Sequence, residues 1–175
     1  MSLINTKETQ EAKSLKRCKS EGITLLRNLA LVHSRAKHPT LPESARCTKS
    51  YNDRTANGLT RCIIDFLNFS GHQAERINST GRPIDNTKVV RDVLGSSRRI
   101  GSMKWIPGTG QKGTSDISSV INGRAVKIEI KMKDKQSPDQ KRYEEQVIQA
   151  GGLYWLVRSF EEFLDFYNSI NGEKS

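Results

Sequence analysis

Apolar residues recur at helical spacing in three stretches of the chain and alternate with polar ones in a fourth. Leu59, Cys62, Ile63, Phe66 and Leu67 mark one face of an amphipathic helix over 55–69, and Gly71 stops it. Tyr143, Val147 and Ala150 mark a second stripe. Ser137 precedes it as N-cap, Pro138 suits the first helical position, Gln140 completes a capping box, and Gly151-Gly152 ends the helix. Ser159 caps a third helix, with Glu162 at N3 and Phe160, Phe163, Leu164 and Tyr167 on its inner face. The alternating stretch, DISSVINGRAVKIEIK, is centred on Asn122-Gly123, which predicts a hairpin with a two-residue type I′ turn. HQAERIN (72–78) reads as a short strand, and LYWLV (153–157) as a strand buried on both faces.

Before residue 51 the pattern is looser. KETQEAKSLKRCKSEG predicts a charged helix. ITLLRNLALVHSRAK (23–37) predicts another, with apolar Leu25, Leu26, Leu29, Leu31 and Val32. HPTLPESARCTKSYNDR then breaks the pattern with Pro39, Pro42 and many turn formers. Residues 1–50 are therefore expected to form a basic N-terminal appendage and linker, helical or partly disordered. Residues 51–175 are expected to form an α/β domain, a mixed β-sheet flanked by helices, in the order α-β-(loop)-β-β-α-β-α.

Charge narrows the partners. The 175 residues carry a formal charge of +10, which favours a polyanion, nucleic acid first and an acidic membrane surface second. Residues 80–113 hold Arg82, Lys88, Arg91, Arg98, Arg99, Lys104 and Lys112 against Asp85 and Asp92, half of that excess. This Gly-rich segment reads as a long, weakly structured loop, either a solvated insertion or a phosphate-contacting element. In the second case Arg82, Arg98, Arg99, Lys104 and Lys112 are the candidate nucleic-acid contacts, and Trp105 a base-stacking or wedge residue. No apolar run approaches the ~20 residues of a membrane span, and no signal-peptide core is visible, so a cytoplasmic protein without a membrane partner is expected. Cys18, Cys47 and Cys62 lack a CxxC pair and read as reduced thiols, and His33, His38 and His72 are too scattered for a zinc site.

The hairpin carries candidate chemistry. With a two-residue loop and no bulge, Ile117 faces Ile128 and Asp116 faces Glu129, with Lys131 one step further on the same face. Opposed carboxylates destabilise a hairpin unless a positive group lies between them. A hard divalent cation such as Mg²⁺ suits these oxygens. A solvated face on which Lys127 and Lys131 balance the acids uses the same residues.

Asp116 followed by Glu129-Ile130-Lys131 on the next strand resembles the D…(D/E)xK core of the PD-(D/E)xK nuclease superfamily. The fuller string is G-T-S-D-I, a short hairpin, I-E-I-K, S-P-D-Q, then A-G-G and an apolar strand. It looks like the VRR-NUC branch, near the Holliday-junction-resolvase-like and phage-type nucleases. The resemblance spans roughly residues 55–170. It implies a restriction-endonuclease-like core and a metal-dependent endonuclease hydrolysing DNA, selective for branched or flapped structures. Mg²⁺ or Mn²⁺ is the implied cofactor, and a homodimer is among the expected assemblies. Asp116, Glu129 and the main chain of Ile130 would hold the metal. Lys131 would orient the attacking water, and Gln140 would help to set the site. Two positions depart from the pattern: the first helix offers Asn57 rather than an acid, and Ser115 stands where a proline usually precedes the first acid. The alternative function is a catalytically inactive nucleic-acid-binding protein on a nuclease fold.

Overall fold

The structure, a computed structural model, describes residues 4–46, 49–78, 81–108 and 110–172, with residues 4–20 described by their backbone alone. Helix α1 (Ile4–Lys37) leads through a 3₁₀ turn (Glu43–Ala45) to α2 (Ala56–Phe69) and strand β1 (Gln73–Arg76). Four short strands follow, β2 (Arg82–Asp85), β3 (Lys88–Arg91), β4 (Ser97–Ile100) and β5 (Met103–Ile106). The hairpin β6 (Ile117–Ile121) and β7 (Arg124–Ile130), then α3 (Pro138–Gln149), β8 (Leu153–Val157) and α4 (Phe160–Gly172) complete the chain. The central sheet has the order β1-β6-β7-β8. Neighbours are antiparallel except β7 and β8, which run parallel and are joined across α3. A mixed sheet flanked by helices is the architecture expected.

One sheet face carries the core. Ile117, Ile121, Val126, Ile128 and Val157 are fully buried there with Phe160 and Phe163 of α4 and Leu59, Ile63 and Leu67 of α2. Local chemistry sets the helix ends. Thr55 Oγ1 accepts from the Gly58 N–H at the start of α2, and Gly71 takes a left-handed φ of 82° just past its end.

Three expectations are corrected by packing. The first concerns residue 50 as a boundary. The two predicted N-terminal helices are one helix, and Ile23, Leu26 and Ala30, spaced at a helical period, enter the same core as α2 and α4. Leu25 and Val32 face away, exposed. Tyr51 is also buried, its hydroxyl donating to Asp65 Oδ2 at 2.9 Å. The C-terminal part of α1 thus belongs to the packed unit and is no appendage.

The second concerns β8, which is an edge strand. Trp155 and Val157 are buried, while Leu153, Tyr154 and Leu156 are only half-buried. The helix over that face, α3, buries no residue completely, and Ala150 of its predicted stripe is exposed. Its contact with the sheet includes an edge-to-face pair of Tyr143 and Tyr154.

The third is the 80–113 segment, which is a ribbon rather than a loop. β2 pairs antiparallel with β5 and β3 with β4 in one common register, so the four strands make a single long hairpin. Its turn is closed by the Asp92 N–H donating to the Ser96 carbonyl at 3.0 Å, with Gly95 at φ 83°. A three-residue loop with glycine in the left-handed region is a standard hairpin turn. Neither face of this ribbon is buried in the domain, so no alternation of apolar and polar residues announced it.

Among the described residues no helix is long and apolar enough to cross a membrane. Cys62 is a buried free thiol that contacts the Asn52 carbonyl, and burial pushes its pKa up to about 11. The readings of Cys18 and Cys47 lie outside the described side chains.

Candidate active site

The type I′ turn forms with Asn122 at φ 51° and Gly123 at φ 80°, and the hairpin register is the expected one, Ile121 facing Arg124 and Ile117 facing Ile128. Asp116 and Glu129 stand one rung beyond this last ladder pair. Here the ladder gives way to side-chain chemistry. Asp116 Oδ2 accepts the Ile130 N–H at 2.9 Å, and the Asp116 carbonyl accepts the Ile77 N–H at 2.8 Å, which ties it to the end of β1. The acid is therefore held between the two neighbouring strands.

Glu129 lies on the α3 face of β7 and is only 2 % exposed. Its Oε1 is held by two groups: Lys131 Nζ at 3.1 Å, and Gln140 Nε2, which donates a short hydrogen bond. Gln140 Oε1 meanwhile accepts the Ser137 N–H at 2.9 Å, and Ser137 Oγ accepts the Gln140 N–H. One glutamine thus closes the capping box of α3 and orients Glu129. The roles of helix cap and site residue, which compete in the sequence, coexist. Gly113 makes this approach possible. It has φ 81°, and a Cβ there would overlap the main chain of Asp139 and Gln140 in the first turn of α3.

The remaining oxygen of Glu129, Oε2, is buried and has no hydrogen-bond partner among the described residues. A buried acceptor left unsatisfied is costly and calls for a missing partner. Burial first, then the neighbouring Asp116 charge, pushes the Glu129 carboxyl above its ordinary range, while Lys131 opposes the shift. Lys127 Nζ donates instead to Ser118 Oγ at 2.6 Å and makes no ion pair with either acid among the described residues. Within ion-pairing distance, therefore, one ammonium, that of Lys131, meets the two carboxylates, and it does so at Glu129.

Asp116, Glu129, Ile130, Lys131 and Gln140 come together in this one place. Among the described residues no cluster of three or more His, Cys, Asp or Glu side chains suited to a metal is found, so the acidic donors number two. Asp53, ahead of α2, contacts the N–H of Phe160 at the start of α4 and serves as a structural cap. Tyr154 was missed in the sequence. Its phenol is raised above its ordinary pKa, by burial first and then by the Glu129 charge. Only the parallel register, with Tyr154 beside Lys127 and Leu156 beside Glu129, places it on the site's face.

The basic candidates divide into two groups. Lys112 is exposed in the turn just before Gly113, close to α3. Arg82 and Lys104 lie near the root of the ribbon, and Arg98 and Arg99 nearer its tip. Trp105 packs across Gly81 at the root with its ring half open to solvent. No family model matches the chain, and no curated protein matches it either.

Proposed function

We propose that the chain is a metal-dependent DNA endonuclease of the PD-(D/E)xK type, VRR-NUC branch, its mixed sheet and helices being a restriction-endonuclease-like core. The observation that carries this reading is Glu129 Oε2, a buried carboxylate oxygen without a hydrogen-bond partner among the described residues, beside a second carboxylate. The donor set suits a hard cation. Mg²⁺ is commonly held by one or two carboxylates, with water and substrate phosphate completing its shell. Asp116 and Glu129 supply the two acids. The Ile130 carbonyl, on the strand edge whose N–H meets Asp116, supplies a main-chain oxygen. Bound there, Mg²⁺ or Mn²⁺ would provide Lewis acidity toward the phosphodiester and lower the pKa of a coordinated water.

The chain's own groups then have distinct tasks. Lys131, tethered to Glu129, holds the attacking water in line and offsets the charge that develops on the phosphate. Gln140 fixes the Glu129 rotamer so that Oε2 points away from the helix cap. Hydrolysis adds the water oxygen to phosphorus and breaks the bond to O3′. That oxygen leaves with a proton, giving a 5′-phosphate and a 3′-hydroxyl.

The test uses the wild type and Glu129→Ala on labelled linear, flapped and four-way DNA with Mg²⁺, Mn²⁺ or EDTA. Cutting by the wild type alone, and only with metal, is the expected result. If both proteins bind and neither cuts under any condition, the reading fails and a non-cutting DNA-binding protein takes its place.

A further inference from the structure

The ribbon β2–β5 is rooted at the catalytic end of the sheet. In the antiparallel pair of β1 and β6, Arg76 lies opposite Ile117, so the chain leaves the sheet beside Asp116. It returns through Gly113, packed on the first turn of α3. From Arg82 to Asp92 the strand climbs about 33 Å at ~3.3 Å per residue. That is close to the roughly 34 Å of one turn of duplex DNA.

Its charges are unneutralised. Arg82, Lys88, Arg91, Arg98, Arg99 and Lys104 form no ion pair among the described residues. The two acids of the ribbon are occupied locally, Asp85 Oδ1 by the Thr87 N–H and Asp92 Oδ1 by the N–H groups of Leu94 and Ser96. The cations also occupy both faces. In the outer ladder Lys88 and Arg98 share one face, Arg91 and Arg99 the other.

Large apolar side chains accompany them. Val89, Val90, Ile100, Met103 and Trp105 are exposed along the strands, and the tip presents Val93 fully exposed and Leu94 at 89 %. A two-stranded ribbon open on both faces does not hold itself firmly and is completed by what it binds. A flat protein surface would cover one face and leave the other's arginines unmatched. A second copy of the ribbon would oppose like charges. A duplex groove is wide enough for a two-stranded ribbon and offers phosphates on both walls. Apolar residues at the end of such an element serve as wedges between base pairs.

We infer that this ribbon is a DNA-clamping arm: its cationic strands lie in a groove of the duplex, and its Val93–Leu94 tip wedges into a base step about one helical turn from the cut. The inference rests on the nuclease reading and adds how that site grips its substrate and which DNA it needs. A duplex flank shorter than about one turn beside the cut leaves the tip without a step to enter.

The test places 2-aminopurine at successive positions of a duplex and adds full-length protein in EDTA, where binding is read without cutting. The wild type is expected to brighten the probe at one step, about 10 base pairs from the cut position mapped separately with Mg²⁺. Val93→Ser/Leu94→Ser should lose that signal yet keep affinity within about tenfold, because the phosphate contacts remain. Arg98→Ala/Arg99→Ala should lower the slope of log affinity against log salt by about 2. Both pairs are exposed, and unchanged circular dichroism of the variants confirms folding. A wild type that brightens no position, or a tip variant that brightens it equally, overturns the arm. So does a homodimer in DNA-free solution that the tip variant dissolves. Cutting without a probe response removes the arm and leaves the nuclease. A response without cutting under any metal removes the nuclease and leaves the arm.

Discussion

Glu129 carries opposing demands at the scale of one residue. Its burial beside Asp116 raises its pKa, so the folded state binds a proton there more tightly than the unfolded chain does. Stability from this site is therefore greatest below the ordinary carboxylate pKa and is lost as pH rises through the folded value. Glu129→Gln is accordingly expected to abolish cleavage and to raise the melting temperature of the metal-free protein at neutral pH. That gain should shrink as the buffer is taken down toward the ordinary carboxylate range, which thermal melts across pH would show. A melting temperature that falls on substitution at neutral pH would contradict this electrostatic account. Gln140 allows a sharper dissection. Ser137→Ala removes only the cap and should cost about 1 kcal/mol, with cutting largely intact. Gln140→Ala disturbs the same box and also frees Glu129, so cutting should fall well beyond what stability explains.

Secondary-structure elements differ in how legibly the sequence announces them. The β6–β7 hairpin was fully legible because Asn122-Gly123 fixes the turn and one buried face fixes the register. From that register the Asp116/Glu129/Lys131 grouping followed directly. The ribbon β2–β5 was not legible, since four-residue strands with both faces exposed show no period. Helix α1 was half legible. Its apolar residues were visible, but which of them enter the core depends on α4, more than a hundred residues away, whose Phe160 and Leu164 pack on Gly22. Leu26, one turn further along α1, is fully buried in the same core, and Leu26→Ala should destabilise the fold by about 2–5 kcal/mol. A denaturant midpoint unchanged by this substitution would put the helix back outside the domain. Gly113→Ala tests the other side of the sheet. The left-handed backbone alone costs about 1–2 kcal/mol for alanine, and overlap with α3 displaces Gln140 as well. Cutting should therefore drop along with stability.

Across the whole molecule, the buried Asp116–Glu129 end of the sheet joins a solvent-exposed ribbon, and these parts have very different local stabilities. The sheet and the helices α1, α2 and α4 share one core, whereas among the described residues the ribbon strands pair only with one another. Opening of the ribbon should need far less free energy than global unfolding. Amide exchange is the direct measurement, with residues 82–106 expected to exchange fast in the free protein and to be protected once DNA is bound.

The chain contains two tryptophans, and they fall one on each side of this divide. Trp105 sits half exposed at the ribbon root, while Trp155 is buried and stacked on Phe166. The protein therefore carries its own pair of optical reporters. Acrylamide should quench Trp105 and spare Trp155, and Trp105→Phe should leave an emission that is blue-shifted and nearly insensitive to quencher. In that variant any red shift on heating reports the core alone. In Trp155→Phe the remaining signal follows the ribbon, so ordering of the ribbon and global unfolding can be timed separately without an added label.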